Sequence, residues 1–369
     1  MGRVHTIDYL RGLMALSILF YHLVSWTQSV PQSERLLGKL GIYGVSIFYV
    51  VSGISMYLSY KNTRWTSKST LSFFTRRFAR LAPVYWLAML IGLLYASYLS
   101  GHVYIDWYKY LSNITLTFGI YDPTNYLVTG GWSIGNEVVF YLFFPAIILS
   151  LRRKATFVAL NAFLFSLYVY FCFIIIDSSQ TVATQWANYI NPLNQVFLFS
   201  AGIIIAWVST NYAQHPGNKV NGAMIVALTA AFVWYPVEGN QIVIITGWNR
   251  VFITAILLLV AYFTFNFKTS EKSVFEKILK FFGDISYPVY LLHGILFAIV
   301  NRHVWPLFGS ASKDAKLAFF LFVFAPLLFL LSCAVYRFIE LPVINAVKKK
   351  TVIEKSSNQK DIHPLSKTA

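Results

Sequence analysis

The chain has 369 residues, of which 57% are hydrophobic, 18% aromatic and only 12% charged, and its mean hydropathy is +0.58. Soluble domains carry about 25% charged residues, so this composition excludes an ordinary soluble protein and indicates a polytopic membrane protein. The formal net charge of +16 would suit a nucleic-acid-binding protein, but the basic residues alternate between loops instead of forming one patch, which excludes that class.

Ten apolar segments are long enough to cross a membrane as helices, at about 17–25 residues each. They lie near residues 10–27, 40–60, 82–99, 132–151, 155–176, 190–209, 221–237, 249–267, 285–301 and 316–340. The segment 221–237 is the weakest, and nine or eleven spans remain open. The predicted fold is all-α: a transmembrane helix bundle of about ten spans over residues 1–346, followed by a polar, basic cytoplasmic tail, residues 347–369, that we expect to be disordered.

Basic residues orient the predicted bundle. With the N-terminus in the cytoplasm, the inner segments hold 21 Lys and Arg residues and the outer segments hold 5. We therefore expect both termini to be cytoplasmic. The longest outer loop, residues 100–131, is rich in aromatic residues, and we expect it to lie on the membrane or to dip into it.

The first span carries Arg11 at its inner entrance and His22 deep inside. The two residues are 11 positions apart, which is about three helical turns, so they share one face and lie roughly 16 Å apart along the axis. Ionisable groups inside a span are costly and indicate a function. The alternative is a histidine that only forms a hydrogen bond between helices.

Other polar residues are predicted inside the bundle. The helix rise puts Ser52 and His293 about 12 Å from the inner face, His22 roughly 18 Å and Glu137 roughly 22 Å. The sequence therefore predicts a polar ladder that ascends from Arg11, through Ser52 and His293, to His22 and Glu137.

Glu137 is the only acid well inside a predicted span. An unpaired carboxylate there would be expensive, so we expect it to face the interior within hydrogen-bond reach of His22 or of an arginine, directly or through one water. Tyr141 follows it by one helical turn, so the two side chains can act together. The alternative is a purely structural role as the partner of an arginine.

The cytoplasmic segment 72–83 is basic and contains no acid. Positive-inside topology explains part of this, but Arg77 and Arg80 are three positions apart and would share a helix face. Guanidinium groups bind phosphates in a bidentate way, so a phosphorylated donor from the cytoplasm would meet Arg11, Arg77 and Arg80. The sequence has no phosphate-cradling glycine loop and no metal-ligand cluster, which argues against an ATP-driven pump and predicts no metal.

Taken together, these motifs resemble those of acyltransferase family 3, membrane-bound acyltransferases that modify bacterial surface sugars, over residues 8–342. The family's signature of arginine, ten residues and histidine matches Arg11 and His22, preceded by Asp8. Its later motifs resemble Phe48-Tyr49-Val50-Val51-Ser52-Gly53; Arg77, Arg80, Pro83 and Tyr85; Trp132-Ser133-Ile134-Gly135-Asn136-Glu137, followed by Tyr141; Ser286, Tyr287, Tyr290, Leu291 and His293; and Glu340 with Pro342. Ile54 and Ile134 are mild departures, because phenylalanine and leucine are usual at these positions.

The resemblance implies an integral membrane O-acyltransferase of the bacterial inner membrane. It would move an acyl group, usually acetyl, from cytoplasmic acyl-CoA (usually acetyl-CoA) to a hydroxyl of a cell-surface or lipid-linked glycan. Arg11, Arg77, Arg80 and Ser52 would then bind the donor. The predicted catalytic residues are His22 as base or transient acyl carrier, Glu137 and Arg11. Substrate-binding or structural roles are predicted for Asp8, Trp132, Ser133, Tyr141, Tyr287, Tyr290 and His293.

Two other functions stay open at this stage. A proton-coupled secondary transporter could use His22, His293 and Glu137 as a proton relay, although no inverted repeat supports it. A non-catalytic scaffold of the envelope is the third class. Many relatives carry an extracytoplasmic esterase-like domain, and this chain ends after its last predicted span, so we expect it to act alone or to pass the acyl group to a separate extracytoplasmic protein.

Overall fold

The computed structural model describes residues 4–102, 106–212, 216–269, 273–309 and 311–349, and these residues form helices and turns without a strand. The helices are α1 (His5–Thr27), α2 (Leu36–Tyr60), α3 (Ser67–Ser100), α4 (Trp107–Ile114), α5 (Phe118–Tyr121), α6 (Gly131–Ser150), α7 (Lys154–Ile175), α8 (Trp186–Tyr189), α9 (Pro192–Asn211), α10 (Asn218–Val233), α11 (Gly247–Asn266), α12 (Val274–His303) and α13 (Lys313–Lys349). Short 3₁₀ turns cover Gln241–Ile244 and Trp305–Phe308. We call the end of the bundle at which α1 begins the inner end.

Within the described residues, nine helical segments are long and apolar enough to cross a membrane, and α10 is a shorter apolar helix. The predicted all-α, polytopic bundle is therefore confirmed. Helix α10 corresponds to the segment 221–237, which is the weakest span in the sequence. The orientation of the bundle across the membrane stays a prediction.

Two helices extend well beyond their predicted spans. Helix α3 begins at Ser67 instead of near 82, and α12 begins at Val274 instead of near 285. Each begins with a capping box, formed by Thr66 with Ser69 and by Ser273 with Glu276. Hydropathy finds only the apolar part of a helix, whereas caps stabilise a charged inner extension as well.

The bundle is tightest where glycines let two backbones approach. Helix α1 packs along α12 and α2, and α2 packs along α9. A side chain on Gly283 of α12 would collide with the backbone of Asp8, and one on Gly202 of α9 would collide with the backbone of Val50 in α2. Small residues at such crossings are typical of membrane helices.

The outer loop folds back into the protein. Helix α4 exposes Trp107 and Tyr108, but Asn113, Leu116 and Phe118 are fully buried. The side-chain oxygen Oδ1 of Asn113 accepts hydrogen bonds from the phenol of Tyr85 and from the backbone amide of Leu127. This loop therefore forms a plug beside the first turns of α6, where Gly119 lies against Gly135.

The last helix continues to Lys349, so the predicted boundary at residue 346 falls inside α13. The rest of the predicted disordered tail, residues 350–369, lies outside the described residues. Lys39, counted among the outer cations of the sequence, is buried in α2, where its Nζ donates to the carbonyls of Val233 and Tyr235 at 2.8 and 2.9 Å. It therefore caps the C-terminal end of α10 with a positive charge.

Candidate active site

A pair of histidines lies between α1 and α12. His22 Nδ1 and His293 Nε2 are 2.9 Å apart, and the two ring planes are inclined by only 16°. His293 is completely buried, whereas His22 lines a cavity. The indole of Trp26 lies parallel to the His22 ring, with 4.7 Å between ring centroids. Two neighbours, His293 and Trp26, therefore fix the orientation of the His22 imidazole.

The pairing follows from the register of two parallel helices. Gly12 of α1 lies against Gly283 of α12, and each glycine precedes a histidine of the pair by 10 residues. Ten residues of helix rise about 15 Å, so both histidines reach the same height above the crossing. The same register continues outward, where Trp26 meets Phe297 with ring centroids 4.6 Å apart.

The hydrogen bond between the rings limits where the protons can lie. A neutral imidazole donates from one nitrogen and accepts with the other. When His293 carries its proton on Nδ1, its Nε2 accepts from Nδ1–H of His22, and Nε2 of His22 keeps a free lone pair. In that state His22 can act as a base, and His293 stabilises the imidazolium that forms.

Glu137 lies in a second, middle cavity, between the histidine pair and the inner end. Its Oε1 accepts hydrogen bonds from Ser52 at 2.6 Å and from Tyr141 at 2.5 Å. Arg77 and Arg80 also line this narrow cavity of about 70 Å³. The carboxylate therefore joins α2 to α6, close to the predicted phosphate-binding arginines.

This arrangement corrects the predicted ladder. The sequence predicted Glu137 beside His22 and Ser52 beside His293, whereas the structure pairs Glu137 with Ser52 and His22 with His293. The direct hydrogen bonds of Glu137 go to two hydroxyl groups. Arg77 and Arg80 line the same cavity, and a hydrogen bond to an arginine through one water stays a prediction.

The error lies in the helix ends from which the depths were counted. Helix α12 begins at Val274, so its histidine is further from the inner end of the helix than the segment 285–301 suggested. Helix α6 begins at Gly131, and the buried loop residues Phe118 and Gly119 pack beside its Gly135, so its first residue does not mark the outer surface. Its glutamate consequently lies lower than predicted.

A third cavity, of about 430 Å³, lies at the inner end. Its cationic side chains are Arg11, Arg76, Arg77, Arg80 and Lys348, and its acids are Asp8, Asp284 and Glu340. Arg11 donates to Asp8 at 3.0 Å and to Ser55 at 3.3 Å. Because cations outnumber acids, this cavity favours an anion. Arg11, Arg77 and Arg80 line both the inner and the middle cavity.

Tyr290 separates the middle cavity from an outer cavity of about 300 Å³ and lines both. Its hydroxyl donates to the carbonyl of Gly130 at 3.0 Å and lies 2.9 Å from the hydroxyl of Ser133. Trp132 and His22 line the outer cavity. Tyr290 is therefore part of the wall between the cavity that holds Glu137 and the cavity that holds His22.

The structure brings all the predicted site residues together. Twelve of them line one of the three cavities, and His293 contacts His22. The cavity-lining residues are Asp8, Arg11, His22, Ser52, Arg77, Arg80, Trp132, Ser133, Glu137, Tyr141, Tyr287 and Tyr290. Their chemical roles, including those of catalysis and donor binding, stay predictions.

Sequence reasoning missed three residues of the outer cavity region. Trp26 follows His22 by one turn, so the i, i+4 spacing could have identified it. Gln241 comes from the 3₁₀ turn between α10 and α11, and its amide nitrogen donates to the hydroxyl of Tyr21 at 2.9 Å. No local pattern in the sequence connects these two residues, which are 220 positions apart.

The fold and these cavities define a polytopic membrane protein with a buried pair of histidines. Comparison with known families supplies its class. The acyltransferase domain of acyltransferase family 3 matches residues 4–337. The chain belongs to this family and is a membrane acyltransferase, as the sequence motifs predicted.

Two relatives carry names that bear on the reaction. The chain is 28% identical to the peptidoglycan O-acetyltransferase OatA of Listeria monocytogenes over 166 residues, which are 40% of this chain and 24% of the Listeria protein. It is also 26% identical over 311 residues to a candidate acetyltransferase, ORF330, of Acidianus two-tailed virus, which covers 78% of this chain and 81% of the viral protein. The chain thus matches about a quarter of the length of the Listeria relative. No solved structure matched the chain.

Proposed function

We propose that this protein is an O-acyltransferase of the bacterial inner membrane, which transfers an acyl group, acetyl in the simplest case, from cytoplasmic acyl-CoA to a hydroxyl of a cell-surface or lipid-linked glycan. The observation that carries this proposal is the row of three cavities with shared lining residues, which leads from a basic inner cavity to the histidine pair. The name of the Listeria relative supports acetyl transfer to a glycan.

The donor binds from the inner end. The phosphates of coenzyme A fit the inner cavity, where Arg11, Arg77 and Arg80 supply guanidinium groups that suit phosphate oxygens. Asp8 holds Arg11 in place through their 3.0 Å ion pair. Arg11 is roughly 16 Å below His22 along α1, so the thioester arm of the donor extends through the middle cavity towards the histidine pair.

The reaction is acyl transfer with His22 as base. The acceptor hydroxyl oxygen attacks the thioester carbonyl carbon while its proton passes to His22. The C–O bond forms, the C–S bond breaks, and the proton leaves with the coenzyme A thiol. His293 stabilises the charged form of His22 through their 2.9 Å hydrogen bond, and direct transfer needs no covalent enzyme intermediate.

Glu137 acts as a positioning residue in this mechanism. It holds the hydroxyls of Ser52 and Tyr141 on one wall of the middle cavity, through which the donor's thioester arm must extend.

The acyltransferase domain in this proposal spans residues 1–346. A separate extracytoplasmic protein is a further acceptor for the acyl group.

The proposed reaction is tested with purified protein in lipid nanodiscs. Radiolabelled acetyl-CoA and a mixture of envelope glycans should yield labelled, ester-linked glycan. His22→Ala should lower the rate by about 10²–10⁴, as expected for the loss of an acid–base group. His102→Ala is the matched control, because His102 lies in the exposed outer loop. Labelled glycan at the wild-type rate from His22→Ala would exclude the role of this base. Mass spectrometry and NMR of envelope glycans, with and without the gene, identify the ester.

A further inference from the structure

The outer cavity beside His22 has an aromatic wall. Trp132 and Trp186 meet edge to face, with ring centroids 5.6 Å apart, and Tyr189 lies 5.6 Å from Trp186. The indole nitrogen of Trp186 donates to the hydroxyl of Tyr126 at 3.0 Å, which fixes the indole. These four rings come from α6, α8 and the outer loop, so three separate elements hold them in place.

The opposite wall is polar but carries no formal charge. Gln241 and Tyr21 hydrogen-bond to each other, with 2.9 and 3.1 Å between the phenol oxygen and the two amide atoms. His22 is the base described above. Among the described residues that line this cavity, none is Asp, Glu, Lys or Arg.

We infer that the outer cavity binds one uncharged pyranose ring of the acceptor, with the nearly perpendicular indoles of Trp132 and Trp186 forming an aromatic corner against its C–H groups and Gln241 on its hydroxyls. This inference rests on the proposed acyl transfer, because it names the part of the acceptor that reaches His22. A volume of about 300 Å³ lies at the lower end of the roughly 300–1,000 Å³ typical of small-molecule sites. It therefore suits one ring of a longer glycan.

The chemistry of the two walls selects a sugar over other hydroxyl compounds. The C–H groups of a pyranose carry a small positive charge and pack against the negative faces of aromatic rings. An amide that both donates and accepts matches a hydroxyl, which also does both. A flat aromatic lacks ring hydroxyls that could pair with Oε1 of Gln241, and a flexible alkyl alcohol lacks a rigid C–H surface for the indoles.

The absence of charge from the described lining selects against acidic sugars. A uronate or a sugar phosphate would bring an anion into a cavity whose only titratable nitrogen base, among the described residues, is His22, and pairing with the anion would protonate His22 and remove the lone pair that the proposed reaction needs. Burial of an unpaired charge is costly, so the anionic sugar binds more weakly than its neutral counterpart of the same configuration.

Binding can be measured without transfer. Saturation-transfer NMR on the full chain in nanodiscs should use methyl glycosides of glucose, galactose and N-acetylglucosamine, together with the uronate of each hexose. At least one neutral glycoside should bind, and its uronate should bind at least tenfold more weakly. Equal binding of a uronate, or binding of no neutral glycoside, would overturn the inference.

Substitutions on each wall of the outer cavity show which side chains bind the glycoside. Gln241→Ala and the isosteric Gln241→Glu should both weaken binding of the neutral glycoside, and Trp186→Ala should abolish its signal. Gln180→Ala, in the exposed outer loop between α7 and α8, should leave it unchanged. Normal binding in both Gln241 variants would also overturn the inference. Transfer of labelled acetyl from acetyl-CoA to the glycoside is measured in parallel: its absence from a wild-type protein that binds both molecules would reject the acyl-transfer function and leave the sugar site intact.

Discussion

At the residue scale, His22 and His293 should behave as one unit. His293→Ala removes the partner of His22 Nδ1, and loss of a hydrogen bond to a charged group costs about 1.5–3 kcal/mol. We therefore expect kcat to fall by about 10–100-fold, while KM for acetyl-CoA stays constant because the donor phosphates bind at the inner end. His293→Gln, which can still accept a hydrogen bond, should retain more activity than His293→Ala.

Steady-state kinetics in nanodiscs provide the test of this pair. His303→Ala is the matched control, because His303 is an exposed histidine on the same helix, α12. A parallel rise in KM for acetyl-CoA in both His293 variants, with kcat unchanged, would contradict a role in proton transfer.

The effect of replacing Glu137 on the transfer rate should depend on the two hydroxyl groups, of Ser52 and Tyr141, that donate hydrogen bonds to its carboxylate. Glu137→Gln keeps the shape of the side chain but removes its charge, so transfer should fall sharply with little loss of folding. Contacting residues commonly show interaction energies of about 0.5–3 kcal/mol. The rates of Glu137→Gln, Tyr141→Phe and the double variant give this energy directly. Strictly additive effects of the two substitutions would show that the 2.5 Å hydrogen bond has no part in catalysis.

The guanidinium groups at the inner cavity should be more sensitive to replacement than their charge alone suggests. Arg80→Lys keeps the charge but loses the bidentate fork, so coenzyme A should bind about 10-fold more weakly or worse, the effect of losing one charge-assisted hydrogen bond. Isothermal titration calorimetry with coenzyme A measures this. Arg152→Lys, on an exposed turn, is the control. If Arg80→Lys and Arg80→Ala both bind coenzyme A with unchanged affinity, Arg80 does not bind the donor phosphates. Its charge would then serve only to keep this segment in the cytoplasm.

The identity of the site residues could be predicted from the sequence, but their pairing could not. Buried ionisable residues stand out in an apolar chain, and that was enough to find His22, Glu137 and His293. The pairing of these side chains depends on where α1 and α12 cross, which is at Gly12 and Gly283. This is a tertiary contact between residues 271 positions apart in the sequence. The equal spacing from glycine to histidine in both helices is the one signal that could have revealed the pair.

At the scale of the element, the number of helices could be predicted better than their ends. Hydropathy found all nine described spans, because a membrane requires a long apolar stretch, and the shorter helix α10 as well. It placed the start of α12 near 285, since residues 274–284 are amphipathic and extend beyond the apolar stretch. The plug formed by α4, α5 and the turn that follows them had no such signal, because its burial depends on the helices around it.

The crossing of α2 and α9 gives a prediction about stability. A methyl group on Gly202 would collide with the backbone carbonyl of Val50, and overpacking of this kind costs about 1–3 kcal/mol. Gly202→Ala should therefore lower the thermal unfolding midpoint in detergent. Gly92→Ala in α3 is the control, since nothing lies within 4 Å of the position its methyl group would take. An unchanged midpoint for Gly202→Ala would mean that the two helices are further apart than described.

At the scale of the whole molecule, the three cavities have a functional meaning only if the basic inner end faces the cytoplasm. Acyl-CoA is a cytoplasmic metabolite, and the inner cavity holds the arginines that would bind its phosphates. The outer cavity would then lie towards the side where envelope glycans are exposed. The orientation therefore decides whether donor and acceptor can approach the histidine pair from opposite sides.

The asymmetry of 21 inner to 5 outer basic residues predicts this orientation, because positive loops stay in the cytoplasm. Cysteine labelling of intact cells tests it, after Cys172 and Cys333 have been replaced. Ser67→Cys at the start of α3 and Ser178→Cys in the outer loop after α7 form a matched pair, since both serines are exposed on turns or helix ends. A membrane-impermeant maleimide should label only the cysteine at 178 in intact cells, and both after lysis. Labelling at 67 from outside, with 178 protected, would reverse the bundle and put the arginines on the wrong side for cytoplasmic acyl-CoA.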